Sequence, residues 1–234
     1  MSETKRDRVR AMFGRVAARY DFLNGVLSMG LHHGWRRFAV RQCRFPAGGR
    51  ALDVAVGTGD FAIETIAPGG IAVGVDPCEP MLREGLKKLD RLQLRDRITL
   101  VVGEAEALPV STGEFDCATI GFALRNVTDI DRTFAEMARA VRPGGRVVAL
   151  EIAKPRNPVL RPLFFFYFYH VSPWVARLFG GDPQAYQYLP NSLKEFKSRE
   201  ELCDSMRRAG LDEVRFYDLS GGMVCVHVGT KPGA

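Results

Sequence analysis

A chain of 234 residues with 46% hydrophobic side chains and no long polar tract is large enough to close one core without disulfide or metal staples. Its formal charge of +6 leaves open nucleic acid, an anionic membrane surface or simple solubility, but no stacking motif interleaves aromatics with basic residues, which argues against a nucleic-acid binder. The five cysteines (Cys43, Cys78, Cys117, Cys203, Cys225) are scattered without metal-ligand spacing, so neither a disulfide nor a metal is expected.

The charged residues 1–10 contain no apolar stretch, so no secretory signal or N-terminal anchor is expected and the location is read as cytoplasmic. Lys5, Arg6, Arg8, Arg10, Arg15 and Arg19 follow a helical pattern whose other side carries Val9, Met12, Phe13, Val16 and Tyr20. A second helix is predicted over 31–43. Pro46-Ala47-Gly48-Gly49 then punctuates the chain before the first strand. Short apolar, β-branched runs at 50–55, 71–76, 98–102, 115–121 and 146–152 read as strands, and helices are predicted over 61–67, 81–92 and 131–141, the last stopped by Pro143-Gly144-Gly145. Continuous apolar strands separated by helices imply a parallel sheet covered on both faces. Runs at 214–219 and 223–229, joined by Ser220-Gly221-Gly222, read as an antiparallel hairpin. The fold class is therefore α/β: a doubly wound, mostly parallel Rossmann-like sheet ending in an antiparallel hairpin. One domain, 1–234, divides into N-terminal helices (1–45), a cofactor-binding core (50–152), an aromatic helical cap (155–198), and a final helix with the hairpin (199–234).

Residues 52–62 form a strand, a glycine turn and a helix start, and Gly57-x-Gly59-x-x-Ala62 satisfies the dinucleotide fingerprint. A nicotinamide-dependent oxidoreductase is thus one reading. Asp53 and Asp60 oppose it, because carboxylates flank the place where a diphosphate needs bare amides. S-adenosylmethionine has no phosphate and carries an ammonium and a sulfonium, which such carboxylates favour. Gly57 and Gly59 let the backbone approach a ligand closely. Asp76 stands 17 residues beyond Gly59, near the spacing for ribose hydroxyls, the alternative being a cap for the helix after Pro80. The loop 103–109 would flank an adenine through Glu104 and Ala105; alone it reads as an ordinary loop.

With these residues stated, the chain resembles the quinone C-methyltransferases that act late in menaquinone and ubiquinone biosynthesis, over nearly its whole length. The resemblance rests on Arg19-Tyr20-Asp21-Phe22-Leu23-Asn24, on 28–36 with His32 and His33, on the loop 53–60, on Glu106 to Pro109, on Gly121-Phe122-Ala123-Leu124-Arg125-Asn126-Val127, and on the hairpin with His227. Leu124-Arg125-Asn126-Val127 is the most specific stretch. The resemblance implies a class I methyltransferase fold, cofactor contacts at Thr58, Asp76, Glu104, Ala105 and Gly121, and C-methylation of a prenylated quinol, with demethylmenaquinol to menaquinol the nearer branch. Glycine at 121, where some members have serine, would remove a side-chain hydrogen bond, and Val56 replaces a smaller or polar residue.

A ring carbon becomes nucleophilic beside a hydroxyl that loses its proton, and a nearby cation assists that loss. Arg125 is the candidate cation, with Asn126 orienting the hydroxyl; the alternative is an ion pair of Arg125 with Asp129 or Asp131. Tyr20, Asp21 and Asn24 are expected to cover the site, the alternatives being a core tyrosine and a helix-end polar residue. His32 and His33 read as loop residues, one of which could relay a proton. The aromatic run 164–169, flanked by Arg161, Pro162, His170 and Pro173, is too short to span a bilayer. It is expected to pack on the core, to line a tunnel for an isoprenoid tail, and to allow peripheral contact with the inner face of a membrane. A homodimer is compatible with these readings. A methyltransferase of a soluble small molecule is the nearest rival.

Overall fold

In the computed structural model, residues 4–44, 46–66, 69–178, 188 and 191–233 are described. Strands β1 (Arg50–Val54), β2 (Ile71–Asp76), β3 (Ile98–Val102), β4 (Phe115–Gly121) and β5 (Val141–Ile152) are parallel, and β6 (Asp212–Leu219) and β7 (Val224–Thr230) form the hairpin. They make one seven-stranded sheet in the order β3-β2-β1-β4-β5-β7-β6, with β7 antiparallel to both neighbours. The strand order reverses between β1 and β4, so a crevice opens at their carboxyl ends.

Helices α1 (Lys5–Val16), α2 (Tyr20–Leu27), α3 (Leu31–Gln42), α4 (Asp60–Thr65), α5 (Glu79–Leu92), α6 (Ile130–Ala140), α7 (Leu160–Phe166), α8 (Ser172–Leu178) and α9 (Arg199–Arg208) surround the sheet. On one face Phe134 and Met137 of α6 and Leu202 and Met206 of α9 pack with Val54, Ile120 and Val147. On the other, Ala39, Phe61, Leu82 and Leu89 pack with Val148, Leu150 and Val226. Each such buried Val, Leu, Ile, Phe or Met side chain contributes about 1.5–3 kcal/mol relative to exposure. Side chains fix the helix starts: Asp129 accepts from Arg132 N–H at 2.9 Å, and Thr4 with Asp7 and Ser198 with Glu201 form capping boxes.

The boundary between α6 and β5 differs from the expected one. The helix ends at Ala140, and Val141 already pairs with Phe115 of β4 before the register jumps so that Arg146 pairs with Cys117. Pro143-Gly144-Gly145 lies inside this irregular start of β5, with Gly144 at φ 77°, rather than between two elements. Val141 prefers the strand because there its side chain is fully buried.

The N-terminal segment is two helices joined by a tight turn at Ala17–Arg19, and α1 lies over the amino end of α5, where Phe13, Ala17, Tyr20, Cys78 and Met81 cluster. Within 155–198, α7 and α8 are joined by a π-turn at Tyr167–Val171; residues 179–187 and 189–190 of the expected cap lie outside the described residues. Among the described residues no helix is long and apolar enough to cross a membrane.

Candidate active site

At the end of β1 the backbone enters the left-handed region at Ala55 (φ 53°), Gly57 (φ 56°) and Gly59 (φ 89°), and at the end of β4 it does so at Phe122 (φ 57°). Ala55 and Phe122 carry side chains in this conformation, and such strain collects where a site over-determines the backbone. Gly59 begins α4. Asp76 joins the two strand ends: its Oδ2 accepts from Gly57 N–H at 2.9 Å and its Oδ1 from Cys78 N–H at 2.8 Å. Burial pushes its carboxyl up to about 6, against the lowering by those two amides. Each oxygen retains acceptor capacity for a ligand.

A cleft of about 760 Å³, open to solvent, lies above these strand ends and is lined by Gly57, Asp76, Glu104, Ala105 and Gly121, and also by Tyr20 and Asn126. Helix α1 roofs it. Val9 and Phe13 face inward. Arg6 stands 3.6 Å from the Glu104 carboxylate and 3.8 Å from that of Glu106, while Lys5 Nζ donates to the carbonyls of Arg125 and Val127 at 3.3 and 3.2 Å. The roof is therefore tied to the loops after both β3 and β4.

Asp53, Thr58 and Gly59 do not line this cleft. Asp53 is 1% exposed, sits opposite Thr119 in the β1–β4 ladder and accepts from its hydroxyl at 2.9 Å; burial pushes its carboxyl up to about 7. Thr58 donates to Asp21 at 2.5 Å and accepts from Lys88 at 3.1 Å. Asp60 lies 3.1 Å from Arg36 and 2.6 Å from Lys88, which hold it below the usual carboxylate range despite burial. The carboxylates that line the cleft are Asp76, Glu104 and Glu106. The charge argument against a diphosphate thus applies, carried mainly by other residues than Asp53 and Asp60.

Two sequence departures have a local explanation. A Cβ at Gly121 would stand 2.9 Å from the Phe61 ring, so the space of a serine side chain is already filled. A Cβ at position 74 would stand 2.6 Å from Val56 Cγ2, so the larger residue at 56 is accommodated by glycine on the neighbouring strand.

Beyond the cleft, Arg125 leaves the end of β4 and pairs with Glu151 of β5, their side chains 9% and 1% exposed. It does not pair with Asp129, which caps α6, or with Asp131, which binds Lys197 and Arg208. Four buried polar atoms in this neighbourhood have no hydrogen-bond partner among the described residues: Arg125 Nε, Asn126 Oδ1, Glu151 Oε2 and the Tyr188 hydroxyl. The charges of Arg125 and Glu151 both act on Tyr188, and that of Arg125 on Tyr20, whose hydroxyl burial pushes up and whose side chain bonds to Asn24. Unpaired buried polar groups are costly, and a cluster of them marks a place for a polar ligand.

Glu151 and Tyr188 are absent from the sequence-based site. The available signal for Glu151 was one charge inside the apolar run Val147-Val148-Ala149-Leu150-Glu151-Ile152. His32 and His33 stack at 3.9 Å within α3; His32 is buried beside Arg36, and burial lowers its imidazole to about 4, so it is neutral at pH 7. Among the described residues no group of three His, Cys, Asp or Glu side chains could hold a metal.

Comparison with known proteins places these features. The ubiE/COQ5 methyltransferase family matches residues 1–231. The chain is 44% identical over 233 residues to a demethylmenaquinone methyltransferase of Roseiflexus castenholzii, covering 99% of this chain and 96% of that one. It is 44% identical over 230 residues to a ubiquinone/menaquinone biosynthesis C-methyltransferase UbiE of Geobacter sp. (strain M21), covering 97% of each. In fold it is similar to a SAM-dependent methyltransferase of Thermotoga maritima, with TM-score 0.65, 23% identity, and coverage of 95% of this chain and 99% of the other.

Proposed function

The chain belongs to the ubiE/COQ5 methyltransferase family, and from that membership and the geometry of the site we propose that it methylates a ring carbon of a prenylated quinol, converting demethylmenaquinol to menaquinol. The donor is S-adenosylmethionine, which when bound supplies an electrophilic methyl on a sulfonium. The cleft fits it: Gly57 leaves room that a Cβ, 3.3 Å from Met81 Cε, would take, and Asp76 and Glu104 offer acceptors for ribose and cationic groups. Thr58 and Gly59 hold the loop that shapes this end, and Ala105 and Gly121 leave space beside it.

The observation that carries the acceptor assignment is the cluster of Arg125, Asn126, Glu151 and Tyr188, whose buried atoms without partners among the described residues suit a ring bearing hydroxyl groups. Arg125 stabilises the oxyanion that forms as the hydroxyl ionises, and Asn126 orients it. Tyr20, with Val9 and Phe13 of the roof, excludes water and holds donor and acceptor in line, and Asp21, bound to Thr58 and Lys88, fixes the glycine loop beneath. Anaerobic incubation with methyl-labelled donor tests the reading. Label in the ring of menaquinol is expected; equal or faster labelling of tailless phenols or amines would replace the quinol by a soluble acceptor.

A second observation supports contact with a lipid surface. Leu163, Phe166, Trp174 and Leu178 of α7 and α8 are each at least 60% exposed, and Arg161 and Arg177 beside them are exposed too. Apolar and basic side chains together suit an anionic interface, where a prenylated acceptor resides.

A further inference from the structure

Glu151 is the penultimate residue of β5 and follows the buried apolar run Val147-Val148-Ala149-Leu150, and a carboxylate there is expensive unless its charge is used. One oxygen, Oε1, is held by Arg125 and by the Ile152 N–H at 2.9 Å. The other, Oε2, is buried without a partner among the described residues, as are the Tyr188 hydroxyl, Asn126 Oδ1 and Arg125 Nε in the same neighbourhood. A carboxylate needed only to neutralise Arg125 would leave no such oxygen beside other unfilled donors and acceptors.

Glu151 also lines a second pocket, between the end of β5 and residues 193–202. The titratable groups around Glu151 are Arg125 and Tyr188, and Cys225, its partner on β7, with His227. Lys154, Lys197, Arg199 and Glu201 line the cavity. His227 is buried with its imidazole lowered to about 4, and burial pushes Cys225 up to about 12, so both are neutral near pH 7. Arg199 is committed to Asp218 at 2.5 Å and to the Gly222 carbonyl at 2.6 Å. Glu151 is thus the buried group here able to accept a proton at neutral pH, and burial pushes its carboxyl above the ordinary range, which strengthens it as a base.

We propose that Glu151 is the general base that takes the proton of the acceptor's ring hydroxyl, with Arg125 holding the resulting oxyanion; this rests on the quinol reading of the site. The hydroxyl proton passes to Oε2. The adjacent ring carbon then forms its bond to the methyl group as the bond from that methyl to sulfur breaks. The ring proton on that carbon leaves to water, and Glu151 returns its proton to the ring oxygen, restoring the aromatic ring with one proton released per turnover.

The test uses the full chain with demethylmenaquinol under anaerobic conditions and, separately, 1-naphthol as a phenol that is not methylated or oxidised during the measurement. Glu151→Gln is expected to lower kcat by roughly 10²-fold or more, the scale of a lost general base. It should also remove the acidic limb of the kcat profile while leaving S-adenosylhomocysteine affinity within about twofold, because the cofactor cleft is built from other residues. In the wild type with S-adenosylhomocysteine bound, 1-naphthol should show naphtholate absorbance below its solution ionisation without net proton release, and Glu151→Gln should abolish that band. A folded Glu151→Gln protein with kcat within threefold of wild type, or with the naphtholate band intact, overturns the proposal. If Glu151→Gln does not fold, Glu151→Asp decides: lower kcat with the acidic limb retained supports the base, and unchanged kcat overturns it. A wild-type protein that ionises 1-naphthol through Glu151 yet leaves demethylmenaquinol unmethylated refutes the quinol reading and keeps the base.

Discussion

Lys88 Nζ on α5 lies 2.5 Å from the carboxylate of Asp21 on α2, and the same ammonium reaches Asp60 at 2.6 Å and the Thr58 hydroxyl at 3.1 Å. The N-terminal roof is thereby latched to the glycine loop. Lys88 is 10% exposed and Asp21 40%, so this pair is screened less than a surface ion pair. Asp21→Asn keeps the shape and the contact to Thr58 but removes one charge from the latch. We expect dissociation of S-adenosylhomocysteine to quicken by about tenfold, corresponding to about 1.4 kcal/mol. Stopped-flow displacement measures this, and an unchanged off-rate would show that the roof opens by a route that spares the latch.

Four buried groups give stability a compensated pH dependence. Asp53 and Asp76, at about 7 and about 6 against 3.8 unfolded, bind protons more tightly when folded, so their contribution falls as pH rises from about 4 to 7. His32 and His227, at about 4 against 6.5 unfolded, bind protons less tightly when folded, so theirs rises over the window from about 4 to 6.5. The two pairs oppose one another. Asp53→Asn removes one falling component and keeps an acceptor for Thr119. The Tm of this variant relative to wild type should therefore climb between pH 4 and 8, on the scale of about 2–4 °C per kcal/mol. A constant difference across that range would mean that Asp53 does not titrate in it.

The strands and the glycine loop were legible because their causes are local. Buried parallel strands need continuous apolar runs, and Gly57 and Gly59 sit where φ is positive. Asp53 was read as ligand-facing because the sequence places it beside the loop, whereas the strand's alternation points it at Thr119. Asp60 was read the same way, and its neutralisation by Arg36 and Lys88 depends on helices 24 and 28 residues away in sequence. Glu151 was missed for the same reason: its partner Arg125 is 26 residues distant, on the adjacent strand end. Helical phase, not composition, divides the aromatic run, burying Phe164 against Phe168 at 4.5 Å and exposing Phe166.

That division gives the lipid-facing surface its test. Phe166 is 60% exposed and Trp174 65%, so polar replacements remove apolar area at little cost to the fold. Phe166→Ser with Trp174→Ser is expected to weaken sedimentation with phosphatidylglycerol vesicles by about tenfold, while binding to neutral phosphatidylcholine vesicles is weak from the start. Undiminished sedimentation of the double variant would place the lipid contact on another face.

Arg125 separates acceptor chemistry from donor binding, because its guanidinium is engaged with Glu151 and does not line the cofactor cleft, whose walls are the ends of β1 to β3, Gly121 with neighbouring residues of the loop after β4, and α1. Removing it leaves a buried carboxylate without its cation, which by itself costs about 3–5 kcal/mol, so Arg125→Ala must be assayed at a temperature where it is folded. Arg125→Lys keeps the charge and loses the planar fork that meets Glu151 and a ring oxygen together. We expect both to lower kcat, the alanine variant by roughly 10²-fold or more and the lysine variant by less, with S-adenosylhomocysteine affinity nearly intact. Asn126→Ala should fall in the same direction, since its Oδ1 is buried without a partner among the described residues. Calorimetry with S-adenosylhomocysteine and turnover of demethylmenaquinol on the same preparations distinguish the outcomes: loss of binding would move Arg125 to the donor site, and full turnover in a folded Arg125→Ala protein would leave its buried pair with Glu151 a purely structural contact.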